Sequence, residues 1–151
     1  MQQEFRATFP TPFMPGILKA VGLENGKETA SFILQTSGNA AVAKLTADRK
    51  EISANGQDLS YVTVEITDKN GTIQPNATNR LYFKIEGPGI IAGISNADLK
   101  DYDQYTGSSV NAWHGRALVV IRSTRTTGNI KLSVTSPDLT EATLSIRTFD
   151  N

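Results

Sequence analysis

The sequence predicts an all-β chain: an immunoglobulin-like β-sandwich preceded by a partial, truncated immunoglobulin-like sheet. Three observations predict it. After residue 44, apolar and polar residues alternate with a period of two in one segment after another. Turn-forming clusters separate those segments. Before residue 44 the strands are too few to close a sandwich of their own.

In chain order, the first strand candidates are Glu4 to Phe9, Ile17 to Leu23 and Lys27 to Thr36, the last two joined by a hairpin turn at Glu24-Asn25-Gly26. Three strands cannot bury both faces of their own apolar residues. Phe5, Phe9, Phe13, Leu18, Val21, Phe32 and Leu34 therefore require a surface to pack on. The expectation is that this segment docks on the second one, or on another copy of itself, and leaves a sheet edge open to pairing. Ser37-Gly38-Asn39 and the alanine-rich Ala40 to Ala43 read as a short linker, after which Leu45-Thr46-Ala47-Asp48 opens a new strand. Residues 1–44 are thus read as the closing strands of a truncated domain, and 45–151 as a complete C-terminal domain.

The clearest alternation sets Val62, Val64 and Ile66 against Thr63, Glu65 and Thr67. Leu81, Phe83 and Ile85 interleave with Tyr82, Lys84 and Glu86, and Ile130, Leu132 and Val134 with Lys131, Ser133 and Thr135. Leu144 and Ile146 repeat the pattern beside Thr143, Ser145 and Arg147. Ala117 to Ile121 is apolar on both faces, as expected of a central strand or an interface. Between these runs lie Asn70-Gly71, Gly87-Pro88-Gly89, Thr127-Gly128-Asn129 and Ser136-Pro137-Asp138, all turn chemistry. About seven strand candidates follow residue 44, enough for an immunoglobulin-type sandwich.

Composition excludes several classes. With 15 basic and 15 acidic residues among 151, the formal charge is zero and no basic stripe exists to follow a phosphate backbone. No apolar run is long enough to cross a bilayer, so no membrane insertion is expected, and the N-terminus lacks a signal-peptide core. The absence of cysteine removes disulfides, thiolate metal sites and cysteine nucleophiles together. No Gly-x-Ser-x-Gly elbow is present, and no helix follows Gly87-Pro88-Gly89 to cradle a phosphate. Asn76-Ala77-Thr78 is a formal glycosylation sequon, without meaning in an ordinary bacterial protein.

Phe13-Met14-Pro15-Gly16-Ile17-Leu18-Lys19-Ala20-Val21-Gly22, then Asn25-Gly26-Lys27 and Thr36-Ser37-Gly38, resembles the closing half of the immunoglobulin-like domain that follows the barrel in family 2 glycoside hydrolases of the β-galactosidase type. Leu45 to Arg49, Ile52 to Ser60, Val62 to Asp68, Gly87-Pro88-Gly89 through Gly93 to Asp98, and His114-Gly115-Arg116-Ala117 resemble the C-terminal domain of the same enzymes. The matches cover most of the chain, and their order across two consecutive domains is more specific than any one of them. The resemblance implies a parent that hydrolyses a β-linked sugar by the retaining mechanism, with the opening strands of the first domain and the whole barrel outside this chain. That mechanism needs two carboxyl groups about 5–5.5 Å apart. None of Glu4, Glu24, Glu28, Glu51, Glu65, Glu86 or Glu141 matches a catalytic motif of the family, so no catalytic residue carries over.

Two local clusters invite a sharper reading. Asn96, Asp98, Asp101 and Asp103 place four oxygen donors in one loop, the ligand type that calcium takes, at a spacing that fits no EF-hand. The competing reading of Asp98 is a turn cap. Trp113, His114 and Arg116, with Tyr102 and Tyr105 upstream, form an aromatic and polar cluster of the kind a sugar platform needs. The competing reading makes Trp113 an anchor of the sandwich edge or of an interface. The sole histidine, His114, has no second histidine with which to share a metal.

The function expected is a non-catalytic, structural accessory region of a family 2 glycoside hydrolase whose partner is the remainder of the parent. The alternatives are an immunoglobulin-like spacer of a bacterial surface adhesin, which Asn55-Gly56 to Asp68-Lys69-Asn70-Gly71 also resembles, and an independent carbohydrate-binding module. No cofactor other than calcium enters any of these readings. The parent is expected in the periplasm or outside a bacterial cell, and the fragment itself to be soluble.

Overall fold

The structure, a computed structural model, describes residues 8–150. Its chain divides into two compact units, with the boundary between Thr36 and Ser37.

The first unit is an antiparallel hairpin of β1 (Ile17–Glu24) and β2 (Lys27–Gln35). Asn25 and Gly26 turn the chain with φ of 50° and 75°, the left-handed pair that a two-residue type I′ turn requires. Every residue of both strands is exposed, including Leu23 at 67% and Phe32 at 68%. The strand expected over Glu4 to Phe9 lies largely outside the described residues, as does Phe5; Thr8 and Phe9 are irregular.

The second unit is a two-sheet sandwich. One sheet orders β4 (Glu51–Ser53), β11 (Ala142–Phe149), β10 (Gly128–Thr135), β6 (Arg80–Glu86) and β8 (Ser109–Asn111) side by side. The other orders β3 (Val42–Ala47), β5 (Leu59–Thr67), β9 (Arg116–Ser123) and β7 (Gly89–Ser95). β4 runs parallel to β11, and the remaining pairings are antiparallel. Among the described residues there is no helix long and apolar enough to cross a membrane.

The alternating residues do what their period requires. Val62, Val64 and Ile66 of β5 are fully buried, as are Leu81 of β6, Val119 and Ile121 of β9, and Ile130, Leu132 and Val134 of β10. β9 lies between β5 and β7, and its second face, Leu118 and Val120, is half-buried, which accounts for its apolar character on both sides. The strand expected to open at Leu45 begins at Val42, because Val42 and Ala43 already pair with Thr67 and Ile66. Three strands escape the periodic signal. β4 and β8 are only three residues long, and β7 carries two glycines and a register shift between Ile91 and Gly93 that breaks its alternation.

Gly87, with φ of 91°, shows why the β6–β7 turn is glycine: a Cβ there would collide with the Asn129 carbonyl oxygen on the β10 side.

Three aspartates tie the connecting loops to the sandwich. Asp68 accepts the N–H of Gly38 at 2.8 Å with one oxygen and those of Asn70 and Thr72 with the other, so it joins the incoming chain to the β5 exit turn. The Gly38 donor leads the effects that hold its carboxyl below the usual range. Asp58 accepts the Ser53 N–H at 2.8 Å and pairs with the Arg49 guanidinium, and these donors, the Ser53 amide first, lower its pKa. Burial opposes ionisation of Asp48, but the N–H groups of Tyr61 and Arg49 and the Ser60 hydroxyl outweigh it.

A carboxylate whose folded pKa is lowered contributes stability that is complete above the unfolded value of about 3.9 and is lost as the pH falls through the lowered native value. Asp58→Asn is therefore expected to lower stability by about 1–2 kcal/mol at neutral pH. Most of that difference from wild type disappears once the pH is below the lowered Asp58 value. Urea denaturation of both proteins across an acid series checks the convergence; a difference that persists at low pH would remove Asp58 as the source.

Candidate functional site

The loop from Asn96 to Ser108 joins β7 to β8 across the end of the sandwich, and it is organised by its own short polar side chains. Asn96 Oδ1 accepts the N–H of Asp98 at 2.8 Å, Asp98 Oδ1 that of Lys100 at 2.9 Å, and Asp101 Oδ1 that of Asp103 at 2.9 Å. These are three Asx turns in succession, and Asp98 caps the one between them. Ala97 sits at φ of 67°, a left-handed conformation that the first turn imposes on a non-glycine residue.

Asn96 is the hub. It is 8% exposed, and its amide nitrogen donates both to Asp101 Oδ2 and to the Asn111 carbonyl, the latter at 2.9 Å. The loop is thereby fastened to β8. Asp103 pairs with the Arg80 guanidinium, which also donates to Ser109 Oγ at 2.7 Å.

Just past β8, Trp113 and Arg116 exchange backbone hydrogen bonds of 2.9 Å around His114 and Gly115, whose φ values are 49° and 71°. Gly115 cannot carry a Cβ there, since it would strike the Gln74 carbonyl oxygen. The His114 ring lies edge-on to Trp113 with centroids 4.7 Å apart, and its Nδ1 is 3.2 Å from the Pro75 carbonyl oxygen. Trp113 keeps 39% of its surface exposed.

Together these elements line a cleft of about 370 Å³, to which Trp113, Tyr102, Asn96, Asp98, Asp101 and Asp103 all contribute. The two clusters that stand apart in the sequence are one place in the fold. Not every candidate joins it. Tyr105 lines a neighbouring cavity of about 150 Å³ with Ile94 and Val110. His114 backs Trp113 from outside, and Arg116 turns to Glu65 at 3.5 Å across the β5–β9 pair. Lys100 and Asn111 also line the cleft, though neither lies in a sequence pattern that marks it.

The aspartate oxygens are largely committed to N–H donors, and among the described residues no three His, Cys, Asp or Glu side chains cluster as a metal site. Calcium takes six or more oxygens, and four of the six aspartate oxygens here already accept N–H groups. Glu28, Glu51, Glu65 and Glu86 face Lys19, Arg147, Arg116 and Lys84 at 3.1, 3.7, 3.5 and 2.7 Å.

Residues 43–145 match the model of the glycoside hydrolase family 2 C-terminal domain 5. The chain belongs to this family. It is 37% identical over 134 residues to beta-galactosidase BoGH2A of Bacteroides ovatus, covering 89% of this chain and 16% of the relative. A beta-galactosidase of Thermoanaerobacter pseudethanolicus is 34% identical over 132 residues, 87% of this chain and 16% of that protein. The chain therefore spans about one sixth of the length of these relatives. Among solved structures, a glycosyl hydrolase family 2 member from Bacteroides cellulosilyticus superposes with a TM-score of 0.88 at 34% identity, covering 93% of this chain and 18% of that one. The D00-D0 domain of intimin reaches a TM-score of 0.56 at 18% identity, with 91% of this chain and 66% of that one covered. That likeness is of fold alone, so the adhesin reading has no support beyond the shared sandwich.

Because the hub amide holds the loop at three points, Asn96→Ala is expected to loosen it while the sandwich core stays folded. Loss of these partly buried bonds, about 1–3 kcal/mol in all, predicts tryptic cleavage after Lys100 that is about tenfold faster or more. Limited proteolysis with mass readout checks this; unchanged cleavage would show that the Asx turns hold the loop without Asn96.

Proposed function

We propose that this chain is a non-catalytic, structural accessory region of a family 2 glycoside hydrolase of the β-galactosidase type, one that acts on β-linked glycans. The observation that carries the proposal is the family match over residues 43–145 combined with a span of 16% of the beta-galactosidases it resembles. The parent would be exported to the periplasm or beyond in a bacterium.

The hairpin supports a docking role. A two-stranded sheet with both faces wet is marginal in water, and Ile17, Leu18, Leu23, Phe32, Ile33 and Leu34 are each at least half exposed. Its partner would be the remainder of the parent, and in isolation a second copy of the same hairpin.

Two outcomes are expected. The purified chain produces no release of chromophore from an aryl β-galactoside above buffer, whereas removal of the matching segment from the Bacteroides ovatus relative lowers that enzyme's melting temperature. Turnover by the chain alone would overturn the non-catalytic reading, and an unaltered melting temperature the structural one. Sedimentation of the isolated chain is expected to show association that vanishes when residues 1–36 are removed. The same mass per chain before and after that removal would rule out association through the hairpin.

A further inference from the structure

We infer that the cleft between Trp113 and the Asn96–Ser108 loop is a binding subsite for one or two residues of a neutral glycan. The inference rests on the reading of the parent as a β-glycosidase only for the choice of ligand class; the site itself is argued from its walls.

A pyranose presents an apolar C–H face and a rim of hydroxyls, each both donor and acceptor. The cleft offers the complement of both. Trp113, 39% exposed, and Tyr102, 98% exposed, supply aromatic surface held out of the core. Neither is needed to seal the sandwich, whose interior is closed by aliphatic residues. The same lining carries polar groups that the fold leaves with capacity to spare. Asp98 uses Oδ1 on the Lys100 N–H and Asp103 uses Oδ2 on Arg80. Among the described residues, the second oxygen of each and the Asn111 side-chain amide have no protein hydrogen bond. Carboxylate and amide groups a few residues apart are suited to neighbouring hydroxyls, because each accepts or donates in pairs. At about 370 Å³ the cleft falls within the usual range of small-ligand sites, about 300–1,000 Å³.

Its walls are also pre-set. Asn96 anchors the loop floor to β8, and the His114-Gly115 turn, locked against residues 74–77, fixes Trp113 from the other side. The Tyr102 side chain, 98% exposed, is the part left to order on binding. The charge selects among sugars: Asp98, Asp101 and Asp103 outnumber Lys100 on the lining, so a uronic acid or sulfated sugar meets repulsion that a neutral one does not.

Trp113 is the only tryptophan of the chain, so its emission reports on this cleft alone. Titration of the intact chain with lactose, cellobiose and xylobiose, followed by Trp113 fluorescence and by saturation-transfer NMR, is expected to give a saturable response to at least one of them. Glucuronate at the same concentrations is expected to give none. Tyr102→Ala, at a position too exposed to affect folding, should weaken the response at least about tenfold, and Asn111→Ala likewise. Silence toward all three neutral sugars at tens of millimolar would overturn the subsite, as would a response that both variants leave unchanged. An equal response to glucuronate would overturn its selection for neutral sugars. The structural reading of the region is judged separately, by the melting temperature of the truncated relative, and either can fail without the other.

Discussion

The sandwich depends on one constraint: two sheets, packed face to face about 10 Å apart, must each send every second side chain into a shared dry layer. Val62, Val64, Ile66, Val119 and Ile121 enter it from one sheet and Leu81, Ile130, Leu132, Val134 and Ile146 from the other, all of them wholly buried. With no cysteine to cross-link the sheets, this layer must stabilise the unit by burial and close packing. Its demand reaches the turns as well. Gly87 must be glycine because the β6–β7 corner passes directly over the Asn129 carbonyl, and the strands on either side could not keep register around a bulkier residue.

A filled interior sends chemistry to the ends. Val, Ile and Leu seal the space between the sheets, so the candidate site lies where the β7–β8 loop and the turn after β8 extend past the core. There the backbone is held by polar side chains. Asn96 is nearly buried and fully employed, and the aspartates close Asx turns. Four of the six aspartate oxygens of this loop thus stabilise it by accepting N–H groups, which leaves fewer of them for a cation. What is left over is one oxygen each of Asp98 and Asp103, which can accept from a hydroxyl.

How much of this was legible in the sequence follows from what each element needs. Strands β5, β6, β10 and β11 declare themselves because one face is buried and the other wet, and the alternation is written residue by residue. β7 does not, since the shift after Ile91 breaks its alternation and Gly89 gives up a side chain to the close approach of Ile130. β4 and β8 are too short to show any period. The site divides the same way. Trp113, Tyr102 and the acidic residues stand out by type, but their convergence depends on β8 pairing with β6 and on the Asn96 anchor, which are long-range facts without a local signature. His114, Arg116 and Tyr105 share the neighbourhood in sequence but do not line the cleft, because a two-residue turn reverses the chain at His114 and Tyr105, 73% exposed, lines the neighbouring cavity that shares Asn96, Asp98, Asp101 and Asp103 with it.

The two units differ in a way that bears on what the region is for. The larger one completes its own core, and its strands bury nearly all that their pattern offers. The hairpin buries nothing in either strand, although it carries Ile17, Leu18, Leu23, Phe32, Ile33 and Leu34. Its turn is well formed and its register is continuous except at Gly22, so the hairpin is locally specified. A hairpin of this kind gains little by folding alone, whereas six large apolar side chains moved from water to an interface contribute on the order of 10 kcal/mol before the costs of association. The stabilisation belongs to whatever completes the sheet. The proposed accessory role makes use of both units: the sandwich is a self-sufficient body, and the exposed apolar residues of the hairpin are what a docking surface would cover.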